Sequence, residues 1–122
     1  MILFANGQIY LLGDNTLNLQ EKASMMSGYE TTERFLKALA DKSRLRILEC
    51  IGQGVSNPGE IARRLDRHRS TVEKHLRVLL KAKIVEKVPS LTEAGQLSIR
   101  YKIRGDVEDV LKTILNAAAW AK

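Results

Sequence analysis

The stretch that most limits the fold is RSTVEKHLRVLLK, Arg69 to Lys81, whose apolar residues recur three and four positions apart. At helical spacing, Val72, Leu76, Leu79 and Leu80 fall within an arc of about 100°, and Ser70, Lys74, Arg77 and Lys81 within about 60° on the opposite side. A segment patterned this way is an amphipathic helix that seats one face on a core and turns the other to solvent. The charge extends beyond the helix. Between Arg63 and Lys87 nine Lys or Arg stand against three acids, while the rest of the 122-residue chain holds eleven of each. The whole net charge of +6 therefore lies in one window. Such a face suits a polyanion, because each Lys or Arg set on a phosphate releases a condensed counterion. A solvated helix face shows the same pattern, and charge alone leaves both readings open.

The flanking segments supply the rest of the domain. Asn6-Gly7 between ILFA and QIYLL predicts a β-hairpin over residues 2–12, since both residues accept the positive φ of a two-residue turn. Leu19, Ala23 and Met26 predict a short helix that Gly28 stops, after which Thr31 or Thr32 caps a helix bearing Phe35, Leu36 and Leu39. Leu45, Ile47, Leu48 and Ile51 give the next helix a broad apolar face, ended by Gly52 and Gly54. Cys50 adjoins that face and reads as a core filler rather than a reactive thiol. Asn57, Pro58 and Glu60 provide a cap, a first-turn proline and a capping-box acid for a two-turn helix whose Ile61, Ala62 and Leu65 face inward. DRHR then turns the chain into the basic helix.

Beyond it, KIVEKVPSL and LSIRYKI on either side of TEAGQ predict a second hairpin. Leu97, Ile99, Tyr101 and Ile103 alternate with Ser98, Arg100 and Lys102, the period of a half-buried strand, and Pro89 belongs on an edge. Asp106 is placed to cap a last helix with a stripe of Val107, Val110, Leu111, Ile114, Leu115 and Ala118. Trp120, on the other side of that helix, suits a second subunit or the N-terminal hairpin.

Several classes are disfavoured. With 44% hydrophobic and 28% charged residues the composition is that of an ordinary globular domain, and no apolar run approaches the roughly 18 residues of a membrane span. MILFANGQIYLL lacks a basic leader and a cleavage site, so a signal peptide is not expected. One cysteine forms no internal disulfide, which fits a reducing cytoplasm. There is no phosphate loop, HExxH pair or nucleophile with its base, so neither an enzyme nor a cofactor is expected.

The order of helices, tight turn, basic helix, hairpin and helix is that of a winged helix-turn-helix. LKALADKSRLRILECI, EIARRLDRHRSTVEKHLRVLLKAKIVEK and SIRYKI carry the likeness further, and from about Glu33 to Ile103 the chain resembles the ArsR-type family of small winged-helix repressors. The expected fold is α+β, mostly α. An N-terminal β-hairpin and short helix would occupy residues 1–28, the DNA-binding domain 29–104 and a C-terminal dimerisation helix 105–122.

The resemblance implies that the helix of about 69–82 enters the major groove of double-stranded DNA and that a wing of about 84–103 reaches the neighbouring minor groove or backbone. Arg69, Ser70, Thr71 and Lys74 would then meet base edges or nearby phosphates, and Arg77 and Lys81 phosphates. Ser56 and Asn57, at a helix N-terminus, are candidate phosphate contacts, and Gln96, Ser98 and Arg100 belong to the wing. Val107, Val110, Leu111, Ile114, Leu115 and Trp120 would pair two subunits as a homodimer.

The sequence also departs from the family pattern. Arg67 stands where an apolar turn residue is usual, His68 where a capping hydroxyl is common, and Lys83 where glycine often ends the helix. His68 reads as DNA-facing or solvated, and His75 as a packed flank residue. The paired cysteines by which many relatives sense metal are replaced by NPGEIA, and Asp106, Glu108 and Asp109 have no histidine beside them, so no metal site is expected. Two rival functions stay open at this point: an architectural protein that binds DNA with little sequence preference, and a winged-helix module that binds other proteins.

Overall fold

The computed structural model describes the backbone of residues 2–5, 8–11 and 19–119 and the side chains of residues 20 and 28–119. The Asn6-Gly7 turn, Leu12 and Trp120 lie outside the described residues. The chain forms two compact units, Met1–Lys37 and Ala38–Lys122.

In the first unit, β1 (Ile2–Ala5) pairs antiparallel with β2 (Gln8–Leu11), Ile2 opposite Leu11, as the Asn-Gly signal predicts. The helix that follows departs from expectation. Gly28 ends nothing: α1 is one helix of 21 residues, Leu19–Leu39, and the expected boundary at 28/29 falls in its middle. A mid-helix glycine costs only about 1 kcal/mol relative to alanine, and without a proline or a left-handed residue the ladder continues through it. Thr31 and Thr32, either one expected as a cap, lie inside the helix, and Thr32 donates its hydroxyl back to the Gly28 carbonyl at 2.8 Å.

The second unit begins with the buried Ala38 and Leu39 and continues as α2 (Lys42–Gly52), α3 (Pro58–Leu65), α4 (Arg69–Lys81), β3 (Val85–Leu91), β4 (Leu97–Ile103) and α5 (Gly105–Ala119). Its core is made of the apolar faces that the periodicity marks. Ile47, Ile61, Val72, Leu76, Leu79, Ile84 and Val85 are each under 2% exposed, and full burial of one such side chain stabilises by roughly 1.5–3 kcal/mol. Leu45 and Leu36 stay outside it. Cys50 is a buried free thiol that desolvation holds above its ordinary pKa, consistent with a filler of the core.

The helix starts are conventional. Asp41 caps α2, accepting the Arg44 amide at 3.0 Å, and that hydrogen bond draws its carboxyl below the usual value. Asn57 caps α3 through Oδ1, which accepts from the amides of Gly59 and Glu60. Asp106, however, is not a cap. The carbonyl of Arg104 accepts the amides of Val107 and Glu108, and Asp106 sits in the first turn, paired with the Arg104 guanidinium at 2.9 Å.

The helix ends share one device that the sequence reveals only once. α2, α3 and α4 each finish with a residue of positive φ, respectively Gly54 (91°), Asp66 (53°) and Lys83 (59°). In each case the amide of that residue bonds three positions back, and the next amide, that of Val55, Arg67 or Ile84, bonds five positions back. This double closure satisfies the last carbonyls of the helix and reverses the chain. Glycine adopts the conformation freely, whereas Lys83 carries a Cβ against the left-handed preference. Lys83→Gly is therefore expected to stabilise the domain by about 1 kcal/mol, read as a higher urea midpoint at unchanged slope. An unchanged or lower midpoint would show that the Lys83 side chain offsets its own backbone.

β3 and β4 pair antiparallel from Val85 opposite Ile103 to Leu91 opposite Leu97. The alternation read from β4 holds only at its base. Tyr101 and Ile103 are buried, while Ile99 is 39% and Leu97 73% exposed, because the outer half of the hairpin projects past the helices that would cover it. The tip closes on Thr92 and Gly95 (φ 79°).

Candidate nucleic-acid interface

α4 presents the two faces that its spacing demands. Val72, Leu76 and Leu79 are buried with Leu80 half-buried beside them, and Arg69, Ser70, Thr71, Lys74, Arg77 and Lys81 are all exposed. His68, also exposed, holds the N-cap position but makes no side-chain cap. The amides of Arg69 and Ser70 therefore find no acceptor among the described residues. Open first-turn amides together with the positive end of the helix dipole favour an anion at this point. Lys81 stands twelve residues along, about 18 Å down the axis from Arg69.

On one flank of this strip the structure brings four expected residues together. The Ser56 carbonyl accepts the Tyr101 amide at 3.0 Å, and its hydroxyl accepts from Arg100 Nη1 at 3.4 Å. Asn57 Nδ2 donates to Ser98 Oγ at 3.3 Å. Ser56, Asn57, Ser98 and Arg100 thus join the start of α3 to the middle of β4. Asn57 is committed to its cap and to Ser98, which makes it a strut, whereas Arg100 offers the remaining guanidinium donors. Arg69 leans toward the same corner, for a Cβ added to Gly59 would lie 3.8 Å from Arg69 Nη1. Gln96 stands apart from the cluster, exposed at the wing tip, its amide bonded to Thr92.

Glu73 belongs to this site although charge counting passes over it. Its carboxylate accepts from Arg69 Nε at 3.0 Å, and the i, i+4 spacing was the signal available. The pair holds the Arg69 guanidinium along the helix and lowers the local positive charge. Below it, burial pushes the Tyr101 phenol above its ordinary pKa; Glu73 adds to that shift and Arg77 opposes it. On the opposite flank, Arg44 Nη1 lies 3.4 Å from His75 Nδ1 while its Nε donates to the Ala38 carbonyl at 2.6 Å, so His75 is the packed flank residue expected.

Burial divides the expected pairing stripe of α5. Val107 and Leu111 are buried within the unit, whereas Val110, Ile114 and Leu115 are 45%, 40% and 57% exposed. Among the described residues no helix is long and apolar enough to cross a membrane, and no group of three or more His, Cys, Asp or Glu is placed to hold a metal.

Three helices, the last lying over the first two with its basic face outward, followed by an antiparallel hairpin, define a winged helix-turn-helix domain. Residues 39–88 match the family model described as a helix-turn-helix domain. The HTH-type transcriptional regulator Rv2034 of Mycobacterium tuberculosis is 42% identical over 60 residues, 49% of this chain; the match spans about half (56%) of that relative's length. In fold, the chain is similar to the homodimeric winged helix-turn-helix DNA-binding domain of Mb0332 from Mycobacterium bovis, a possible ArsR-family transcriptional regulator. That likeness has a TM-score of 0.68 at 25% identity and covers 87% of this chain and 91% of that one. Rv0081 of M. tuberculosis shares the fold at a TM-score of 0.64 and 24% identity, over 76% and 90% of the two chains. The resemblance to ArsR-type winged helix-turn-helix regulators thus holds in both sequence and fold.

Proposed function

We propose that this chain is a sequence-specific DNA-binding transcriptional regulator, a repressor, that acts as a homodimer. The single observation that carries the reading is the exposed strip of Ser70, Lys74, Arg77 and Lys81 on the reverse of a helix anchored by fully buried Leu76 and Leu79. A rigid helix with donors on its outer face is what the major groove, about 12 Å wide, accepts. Arg and Lys neutralise phosphates there and Arg forks onto guanine, while Ser70 and Thr71 fix the register of the first turn. The wing, tied to α3 through Ser56 and Asn57, carries Arg100 to the adjoining backbone and Gln96 to its far end. Exposed Val110, Ile114 and Leu115 are the pairing face of α5, and the homodimeric state of the similar domain from M. bovis supports pairing as such. Repression follows from occupancy, because a dimer seated across a promoter excludes the polymerase from the same DNA.

Pairing by a two-fold axis sets two half-sites about one helical turn apart, roughly 34 Å. Selection of bound duplexes from a random-sequence pool is therefore expected to return an inverted repeat with that spacing, preferred over unrelated DNA by about a thousandfold or more. Retention of the pool without enrichment would instead establish a low-specificity architectural role. Failure to retain duplex at low salt would mean that the basic face serves a protein partner.

A further inference from the structure

Leu45 belongs to the apolar face of α2 yet stays 37% exposed, and Leu115 of α5 is 57% exposed. Both border one cleft of the second unit, between α2 and α5, that encloses about 440 Å³. Its inner wall is apolar, with buried Leu48, Ile103 and Leu111 behind those two leucines. Gly52 widens it. That residue ends α2 without a positive φ, so its backbone has no need of glycine, and a Cβ added there would meet nothing within 4 Å. What glycine contributes at this position is room.

The mouth of the cleft is charged. Lys42 and Arg46 stand one turn apart on α2, Lys112 follows Glu108 by one turn on α5, and Glu49 completes the rim. None of these five side chains makes a hydrogen bond or ion pair among the described residues. Four of them are exposed, where water serves them. Arg46 is half-buried, and its five N–H donors have no acceptor among the described residues.

We infer that this cleft binds a small amphipathic organic anion, its apolar body against Leu45, Leu48 and Leu111 and its carboxylate or sulfonate on the Arg46 guanidinium. The volume falls within the roughly 300–1,000 Å³ of small-molecule sites, which likewise join an apolar lining to a few polar groups that fix orientation. The planar fork of an arginine meets two anionic oxygens at once, and Lys42 adds a second positive charge beside it. With three cations on the rim against two carboxylates, an anion complements the mouth better than a cation does. None of Ser70, Lys74, Arg77 and Lys81 lines the cleft, so the site stands or falls independently of the proposed DNA-binding role of α4.

The test is a titration of the folded full chain with anilinonaphthalene sulfonate, an aromatic body with one anionic group that fluoresces in apolar surroundings, in competition with decanoate or decanol. One probe molecule per chain is expected, displaced by decanoate at a concentration about tenfold lower than by decanol. Arg46→Ala should weaken decanoate about tenfold and leave decanol unchanged, the loss of one charge-assisted hydrogen bond, and Arg46→Lys should recover part of it. Gly52→Leu fills the cleft from its floor and should abolish probe binding while the urea midpoint holds or rises, since leucine is the better helix former. Probe binding unchanged in Gly52→Leu would overturn the site, as would decanoate and decanol competing equally. Binding lost in Ile114→Ser but kept in Gly52→Leu would place the probe on the exposed face of α5 and overturn it too. Binding that declines as the protein concentration rises would show that a second copy covers the cleft, again against the proposal. Gly52 is exposed, so its substitution keeps the test decisive should Arg46→Ala fail to fold.

Discussion

Simultaneous replacement of Ser70, Lys74 and Arg77 by alanine is expected to weaken duplex binding about 100-fold or more near physiological salt, with the fold intact. All three side chains are exposed and make no hydrogen bond or ion pair among the described residues, and alanine is a better helix former than serine, so the helix loses nothing by the change. Removing two cations from the groove face withdraws about two counterions from the release on binding, which flattens the salt slope by about 1.8. Loss of Arg77 or Lys74 as phosphate contacts acts on every sequence, whereas loss of the Ser70 hydroxyl near the first turn acts through register. Binding isotherms at several salt concentrations read both quantities. Circular dichroism and the urea midpoint serve as controls. Affinity and slope both equal to those of the unsubstituted chain would show that α4 is not the face that meets DNA.

The same helix, altered on its other side, should fail in a different way. Leu76 is 0% exposed, between Val72 and Leu79 on a helix that packs against α2, α3 and β3. Leu76→Ala removes its contacts and leaves a void that the surrounding helices only partly close, at a cost of about 2–5 kcal/mol. For a small domain with roughly 5–15 kcal/mol of total stability this is a large fraction, so the urea midpoint should fall steeply and the variant should be partly unfolded at moderate temperature. Leu76→Met, which nearly conserves volume, should lose less than about 1.5 kcal/mol. The part of the Leu76→Ala population that remains folded should keep the unsubstituted salt slope, because the phosphate contacts lie on the opposite face. A loss below about 1 kcal/mol in Leu76→Ala would mean that α4 does not rest on the core described.

How much of this was legible in the sequence depends on the range over which each feature is encoded. Asn57, with Pro58 behind it, announces the start of α3 because a cap involves only the next three residues. Lys83 and Asp66 end their helices as surely as Gly54 does, yet only the glycine is a recognisable stop. The other two are driven into the left-handed conformation by burial of Ile84 and by the turn into α4, which no local rule contains. Gly28 misleads for the complementary reason, since a glycine marks a helix end only when something beyond it requires the chain to turn. On β4 the alternation is correct as a pattern and wrong as a burial map, because Leu97 and Ile99 lie where the hairpin has outrun its support.

By itself the chain's order of residues determined the two faces of α4, the basic window around it, the caps of its neighbours and the pairing of both hairpins, all of which follow from periodicity and contacts among near neighbours. Only the tertiary structure decided that Ser56 and Asn57 meet Ser98 and Arg100 more than forty positions away. Those pairings depend on how α2, α3 and β4 settle around a common core. The physical reason is that a side chain's neighbours along the helix are set by a repeat of 3.6 residues, whereas its neighbours across the core are set by how several apolar faces fill one volume together.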